Sequence, residues 1–536
     1  MTGRGYDPYL DGMIKLGPYI IPLLLIIIFY SCTRPEQRPY GDSLYVADYQ
    51  TPSIINPILT IGTISSFLAE IIFDGLIRFD EDLEAKPNLA SSWEVLDNGL
   101  RWVFHLRRGV LFHDGKELTA EDVRFTLRKL KDPKTRSPFS YTLQDLNRVI
   151  IKDRYTIEVI LSRPNVSFIN GLSVGIIPKH LLDKEDLLST DFNRHPIGTG
   201  PFRFVTWSDR EIALEANKGH FLGRPYLDRI IVKIYPNQEA AWAGMMKGET
   251  DSFPYLNTEN FHIIKKVPDL ETYSYLKPLY YMISFNLKID IFKDRRVRQA
   301  LNFAIDKEGI IKEVLKGEGA VSKGPIYPSS LAYDKDLSPY KYDPKRALNL
   351  LMKAGWIDHD NNHIIDKGGK GLEFTLHIND GDSLKEKAAM IIQDQLLDIG
   401  IRMMIKRFPA SSLDFLFQKR FEAVFPELVA GADPDLSYKF WHSSQIEDGF
   451  NWFSYKNKEI DRLLDQGRAT LDKEERKAIY HRFQEELLDD PPGIFLFWSN
   501  YLVGVHKRFK GVKITAAGPF SNIREWYVPK GEQKYK

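Results

Sequence analysis

Residues 100–106, Leu100-Arg101-Trp102-Val103-Phe104-His105-Leu106, alternate in hydrophobicity with a period of two, which predicts a half-buried strand. Residues 44–47 begin an earlier strand, and Asp97-Asn98-Gly99 is a tight-turn sequence that predicts a hairpin from residues 93–96 into the strand after it. Elsewhere the apolar positions recur at helical spacing, punctuated by caps. Thr119 with Asp122 opens one helix, and Asp343 with Pro344 opens another that Gly355 stops. Ser383-Leu384-Lys385-Glu386 reads as a capping box ahead of Ala388, Ile391, Ile392 and Leu396, with Gly400 as the stop. Asp472-Lys473-Glu474-Glu475 reads as another box. Over residues 294–306 the stripe Val297, Leu301, Ala304 and Ile305 is the buried face, which puts Arg295, Arg296 and Arg298 on the solvent side, either solvated or paired with carboxylates of a neighbouring surface. Short strands alternating with capped helices predict an α/β protein with mixed sheets and flanking helices.

Length adds lobes to that picture, because 536 residues exceed what one core holds. The single cysteine, Cys32, changes it at the N-terminal side. It follows an apolar run over residues 19–30 that is shorter than the roughly 20 residues a spanning helix needs. Lys15 precedes the run and Met13 is an alternative start, so residues 1–31 read as a secretory signal. A cysteine at that place resembles a bacterial lipobox, with Ser31 a fitting neighbour and Phe29 and Tyr30 bulkier than usual. The other reading is an uncleaved anchor helix with an incidental cysteine. Residues 32–42, polar and with two prolines, read as a tether. No internal disulfide is available to the rest of the chain. Lys+Arg 73 against Asp+Glu 72 leaves no basic excess for nucleic acid.

Several tempting motifs carry no chemistry. His113-Asp114-Gly115 is turn sequence. Gly198-Thr199-Gly200 is followed by Pro201 and lacks a third glycine, so it reads as a close backbone passage. Residues 358–366 have alternate oxygen ligands like a calcium loop, but His363 stands where the sharp-turn glycine belongs and Gly369 where the closing acid belongs. With His359 they read as a decorated hairpin. There is no nucleophile elbow and no phosphate loop. No catalytic residue, metal or cofactor is expected.

Six segments, in order, resemble the peptide/nickel-type family 5 of bacterial extracellular solute-binding proteins of ABC importers. They are residues 89–115, 118–125, 196–202, 294–306, 340–347 and 451–457, and the resemblance spans about Ser43 to Val528. It implies a two-lobed clamp like that of periplasmic binding proteins (type II, large cluster C-like). Lobe I would take residues 43–280 plus 499–536 and lobe II residues 281–498, with crossings near 279–286 and 495–498. It implies a monomer, lipid-anchored on the outer side of the cytoplasmic membrane, that captures oligopeptides by closure and delivers them to a permease.

Peptide-binding members hold the ligand's ammonium with an acid in a segment matching residues 430–436. Asp433 is the first candidate and Asp435 the second; plain turn chemistry before Pro434 is the alternative. Residues 377–382 lack the arginine that clamps a dipeptide's carboxylate in some relatives, which favours a longer peptide. A nickel, haem or oligosaccharide ligand, or a secreted hydrolase using the Asp433 and Asp435 carboxylates, stays open.

Overall fold

Two long strands organise the molecule. Leu270–Phe285 and Gly493–His506 run antiparallel, paired from Leu270↔His506 to Ser284↔Gly493. Both are rich in aromatic and β-branched residues, which fit an extended, buried backbone. The computed structural model describes residues 38–60, 62–409, 413–447 and 449–535. The expected signal, Cys32 and the tether up to residue 37 lie outside them.

The two strands sit inside a twelve-stranded sheet. On one side follow Ser252–Phe253, Ser43–Asp48, Arg229–Ile234, Glu211–Ala216 and Phe202–Trp207; on the other Ala423–Val424, Glu373–Asn379 and Arg402–Phe408. A separate four-stranded antiparallel sheet contains the expected hairpin, Ala90–Leu96 with Arg101–Leu106, and Asp97, Asn98 and Gly99 all take positive φ in its turn.

Apolar side chains gather in two lobes. One core runs from Leu44 to Val232 and returns at residues 503–528, with a smaller cluster around Ala241, Phe253 and Phe261 beside it. Two further cores occupy residues 280–498. They lie on opposite faces of the sheet, because alternate residues of a strand point to opposite sides: Tyr281, Ile283 and Phe285 join one, Tyr280 and Met282 the other. Leu496 is an extra residue in the partner strand, where Tyr281↔Phe497 steps to Met282↔Phe495.

The cores change over where the ladder breaks. Pairing jumps from Leu276↔Asn500 to Tyr280↔Trp498, so three residues oppose Ser499 alone. Pro278 lies in the break, having no N–H to give the ladder, and its carbonyl accepts instead from the Ala430 N–H at 2.8 Å. Along these strands Tyr280 to Phe285 and Ile494 to Trp498 pack in the later cores, whereas Tyr273, Tyr275, Val503 and Val505 pack in the first.

Most caps fall where the sequence places them. Thr119 and Asp122 form a reciprocal box on Ala120–Lys131, Asp343 caps Pro344–Lys353, and Asp472 accepts the Glu475 N–H at the head of Lys473–Asp489. A Cβ on Gly198 would stand 2.0 Å from the Ile72 carbonyl oxygen, the close passage expected there. Four expectations are corrected. Asp382, not Ser383, caps Ser383–Leu397, because its carboxylate reaches the Lys385 N–H at 3.1 Å. The stripe over 294–306 ends at Phe303, after which Asp306 caps a new helix, Lys307–Val314. Arg298 is buried and not on the solvent side, though the carboxylate pairing given as its other reading holds: it donates to the Pro491 carbonyl at 2.8 Å and pairs with Asp490. Tyr40, Gly41 and Asp42, read as tether, also belong to the folded part. Asp42 is buried against Arg508, which holds Asp251 at 2.8 Å on its other side.

Candidate functional site: a closed cleft between the lobes

A cavity of about 370 Å³ has walls from both lobes. From lobe I come Tyr141, Ser167 and Asn170; from lobe II come Asp433, Lys439 and Phe450. Asn165 accepts the Ser167 N–H at 2.9 Å and so caps the 3₁₀ turn Val166–Ser173 that presents Ser167. Opposite it, the chain leaves Glu427–Val429 and makes the turn around Pro434. Asp433 accepts the Asp435 N–H at 2.8 Å there, ahead of the helix Leu436–Trp441.

Both candidate acids face this cavity, and both are already paired. Arg476 grips Asp433 through two bonds of 2.7 and 2.9 Å and also donates to Ser167 Oγ at 2.7 Å. The Ser167 hydroxyl donates in turn to Asp433 Oδ1 at 2.7 Å, so the trio joins the lobes. Arg468 grips Asp435 at 2.9 and 2.8 Å, stacks 3.7 Å over the Tyr438 ring, and stands 3.8 Å from Asp145 of lobe I. Asp145 itself accepts from Arg163 at 2.7 Å and from Asn165 at 2.8 Å. Burial works to raise the Asp433 carboxyl. The Arg476 charge and the hydrogen bonds from Arg476, the Asp435 N–H and Ser167 outweigh it and hold the group below its ordinary value. A carboxyl kept ionised this way is unsuited to general-acid work, which calls for a raised pKa.

Two other charges in this region have no ion-pair partner among the described residues. Lys439 Nζ stands 3.9 Å from the ring centres of both Tyr141 and Phe450, and burial pushes its pKa down to about 8. Glu70, on Thr63–Ile72, is exposed on the wall of an adjoining cavity of about 420 Å³ in lobe I. Phe79 lines both cavities.

The calcium-like segment forms a turn beside the bridge Ile357↔Asp366. Carboxylate oxygens of Asp358, Asp360 and Asp366 come within 4.8 Å of one another. They accept the N–H groups of His363, Asn362 and His359 respectively, which is turn chemistry.

The sequence pointed to Asp433 and Asp435 but not to Arg468, Arg476, Ser167, Lys439 or Glu70. An arginine or lysine on an amphipathic helix looks the same whether it faces water or a cleft, and no local pattern distinguishes them.

A model of the family described as "Bacterial extracellular solute-binding proteins, family 5 Middle" matches residues 84–452. The chain is 34% identical over 517 residues to "Oligopeptide-binding protein AppA" of Bacillus subtilis, with 93% of each chain covered. The solved structure of the oligopeptide-binding protein AppA from Bacillus subtilis, in complex with a nonapeptide, is similar with a TM-score of 0.78 and 33% identity, over 92% of this chain and 100% of that one. NikZ from Campylobacter jejuni, in complex with Ni(L-His), is similar with a TM-score of 0.78 and 32% identity, over 91% and 99%.

Proposed function

Because the chain belongs to family 5 of the bacterial extracellular solute-binding proteins, we propose that it captures oligopeptides by lobe closure and delivers them unaltered to an ABC permease. One observation carries this reading: a cavity walled from both lobes, with polar contacts crossing between them at Ser167, Asp433 and Arg476. A ligand touching both walls favours the closed state by its differential affinity. The relative solved with a nonapeptide supports a peptide ligand. Asp433 and Asp435 act as ligand-facing acids whose charge Arg476 and Arg468 already balance, so what they offer a ligand is hydrogen bonding more than an uncompensated ion pair. Lobe I comprises residues 40–279 with the segment from residue 499 to 535, and lobe II residues 280–498. The protein works as a monomer without cofactor or catalysis.

The test is retention of a lysine-free and arginine-free library of randomised nonapeptides, read by native mass spectrometry. Intact peptides recovered from the protein support capture. Cleaved products would make it a hydrolase. A metal, haem or sugar mass on the untreated protein, with no peptide retained, would favour the alternative that the nickel-complexed relative represents.

The same reading makes residues 1–31 a signal peptide and Cys32 the lipidated residue, with the tether ending where Tyr40 joins the fold. Cys32→Ser is expected to abolish lipid labelling and release the protein from membranes. Unchanged membrane association in that variant would defeat the anchor.

A further inference from the structure

One layer behind Tyr438, which lines the interlobe cavity, His442 meets two acids of a neighbouring helix. His442 follows the helix Leu436–Trp441, and Asp461 and Asp465 stand four positions apart on Lys458–Ala469, so both carboxylates share one face of that helix. The imidazole Nε2 lies 3.9 Å from Asp461 Oδ1 and 3.6 Å from Asp465 Oδ2. His442 is only 9% exposed, and its Nε2 is buried without a hydrogen bond. Among the described residues no lysine or arginine pairs with either acid. A buried nitrogen left without a partner beside two like charges is completed by a cation held between them.

We propose that His442, Asp461 and Asp465 bind a divalent transition-metal ion of the zinc type, His442 through Nε2 and each acid through one oxygen, with water completing the coordination. A mixed set of imidazole and carboxylate suits zinc, whereas calcium and magnesium take oxygen ligands. None of the three residues lines the interlobe cavity. The ion is therefore a brace within lobe II and no part of the captured ligand, and the site stands whether or not that ligand is a peptide.

The contacts around the three ligands fit the role. Asp461 accepts the Ser443 N–H at 2.8 Å through Oδ1 and the Ser443 hydroxyl at 2.5 Å through Oδ2, which fixes the carboxylate and leaves each oxygen a lone pair. On the far side of the ring, His442 Nδ1 lies 2.7 Å from Ser444 Oγ and 3.1 Å from the Ser444 nitrogen. Ion binding takes the tautomer with its proton on Nδ1, donated to the Ser444 hydroxyl, and so frees the Nε2 lone pair for the metal. Tyr438 stacks on the ring at 4.2 Å between centres and holds its plane. Asp465 is the adjustable member. It is exposed and makes no hydrogen bond among the described residues, so rotation about its own side-chain torsions brings an oxygen to bonding distance. The ion ties the turn after Trp441 to the helix that begins at Lys458. Gln445, Gly449 and Phe450, between those two points, form part of the cavity wall, which the site braces from behind.

The experiment titrates the full chain, stripped with chelator and dialysed, with Zn²⁺ alone in a calorimeter, and uses Co²⁺ as a spectroscopic probe. His442→Gln and Asp465→Asn are each expected to weaken Zn²⁺ binding by about 100-fold, the upper end of what losing even a supporting contact costs. Visible Co²⁺ absorption is expected in the wild type and absent from both variants. Asp465→Asn changes an exposed side chain, so in chelator it is expected to melt with the wild type, which reports that it is folded. Saturating Zn²⁺ is expected to raise the melting temperature of the wild type and leave that of Asp465→Asn unchanged. Asp360→Asn, in the separate acidic turn of Asp358, Asp360 and Asp366, is the control and is expected to bind Zn²⁺ as the wild type does. A wild type that takes up no Zn²⁺ overturns the site, as does Zn²⁺ binding of equal strength in wild type, His442→Gln and Asp465→Asn. Binding lost in Asp360→Asn and kept in Asp465→Asn also overturns it and moves the ion to that other turn.

Discussion

Asp433 is an ionised acid whose partner lies 43 positions further along the chain. Asp433→Asn leaves the Arg476 guanidinium buried without its anion. The expected cost is about 3–5 kcal/mol of stability, measured by urea unfolding of the ligand-free protein. Replacing both residues with apolar side chains of similar size is expected to recover most of it. The pH dependence has a definite sign. Arg476 and the accompanying hydrogen bonds hold the folded-state carboxyl below its ordinary value of 3.8, so its stabilisation is present above that value and lost as pH falls through the lower folded one. The wild type should therefore converge on Asp433→Asn only in strong acid. At this scale the sequence was half legible. An acid before Pro434 marks a turn and a candidate contact from local pattern alone. That Arg476 and Arg468 would converge on the pair depends on how two later helices pack, which no spacing encodes.

Elements were more legible, because their signals are local. The glycines at 198 and 200 read as a close passage, and Gly198 packs against the Ile72 carbonyl with no room for a methyl group. Gly198→Ala is expected to destabilise by more than about 2 kcal/mol or to prevent folding, since backbone, not a movable side chain, is the obstacle. Gly531→Ala, with nothing within 4 Å of its added carbon, serves as the control and should be near neutral. Caps at Thr119, Asp343 and Asp472 were readable for the same local reason. Arg298 lies on the buried side although periodicity assigns it outward, because helical periodicity ranks residues by hydrophobicity. It cannot see that the carbonyls of Pro491 and Lys293 form a polar socket on the buried side. Ser383 and Asp382 both fit an N-terminal signature one residue apart, and the geometry selects the acid.

Across the whole molecule, periodicity yields an α/β class and little more; the two-lobed clamp came from the ordered family resemblance. Closure is where the lobes answer to each other. Ser167 is the lobe I member of the trio with Asp433 and Arg476, so Ser167→Ala is expected to weaken peptide affinity by about 3- to 10-fold, the worth of a net hydrogen bond. The radius of gyration from solution scattering should fall on adding peptide to the wild type. No change in scattering despite saturating peptide would remove closure as the mechanism. One contact has a consequence for how the polypeptide is wired. Asp42 accepts the N–H groups of Lys534 and Tyr535 at 3.0 and 3.1 Å, so residues 42 and 535 lie side by side. The folded part is thus almost a ring, and the order in which its lobes leave the ribosome is a matter of where that ring is cut. A circular permutant joining residue 535 to residue 40 by a short glycine–serine linker, and opened at the exposed turn of Asp360, Asn361 and Asn362, is expected to fold and retain peptide. Such a chain would make lobe II's C-terminal half first, and its refolding rate beside the parent's would report whether synthesis order matters to assembly.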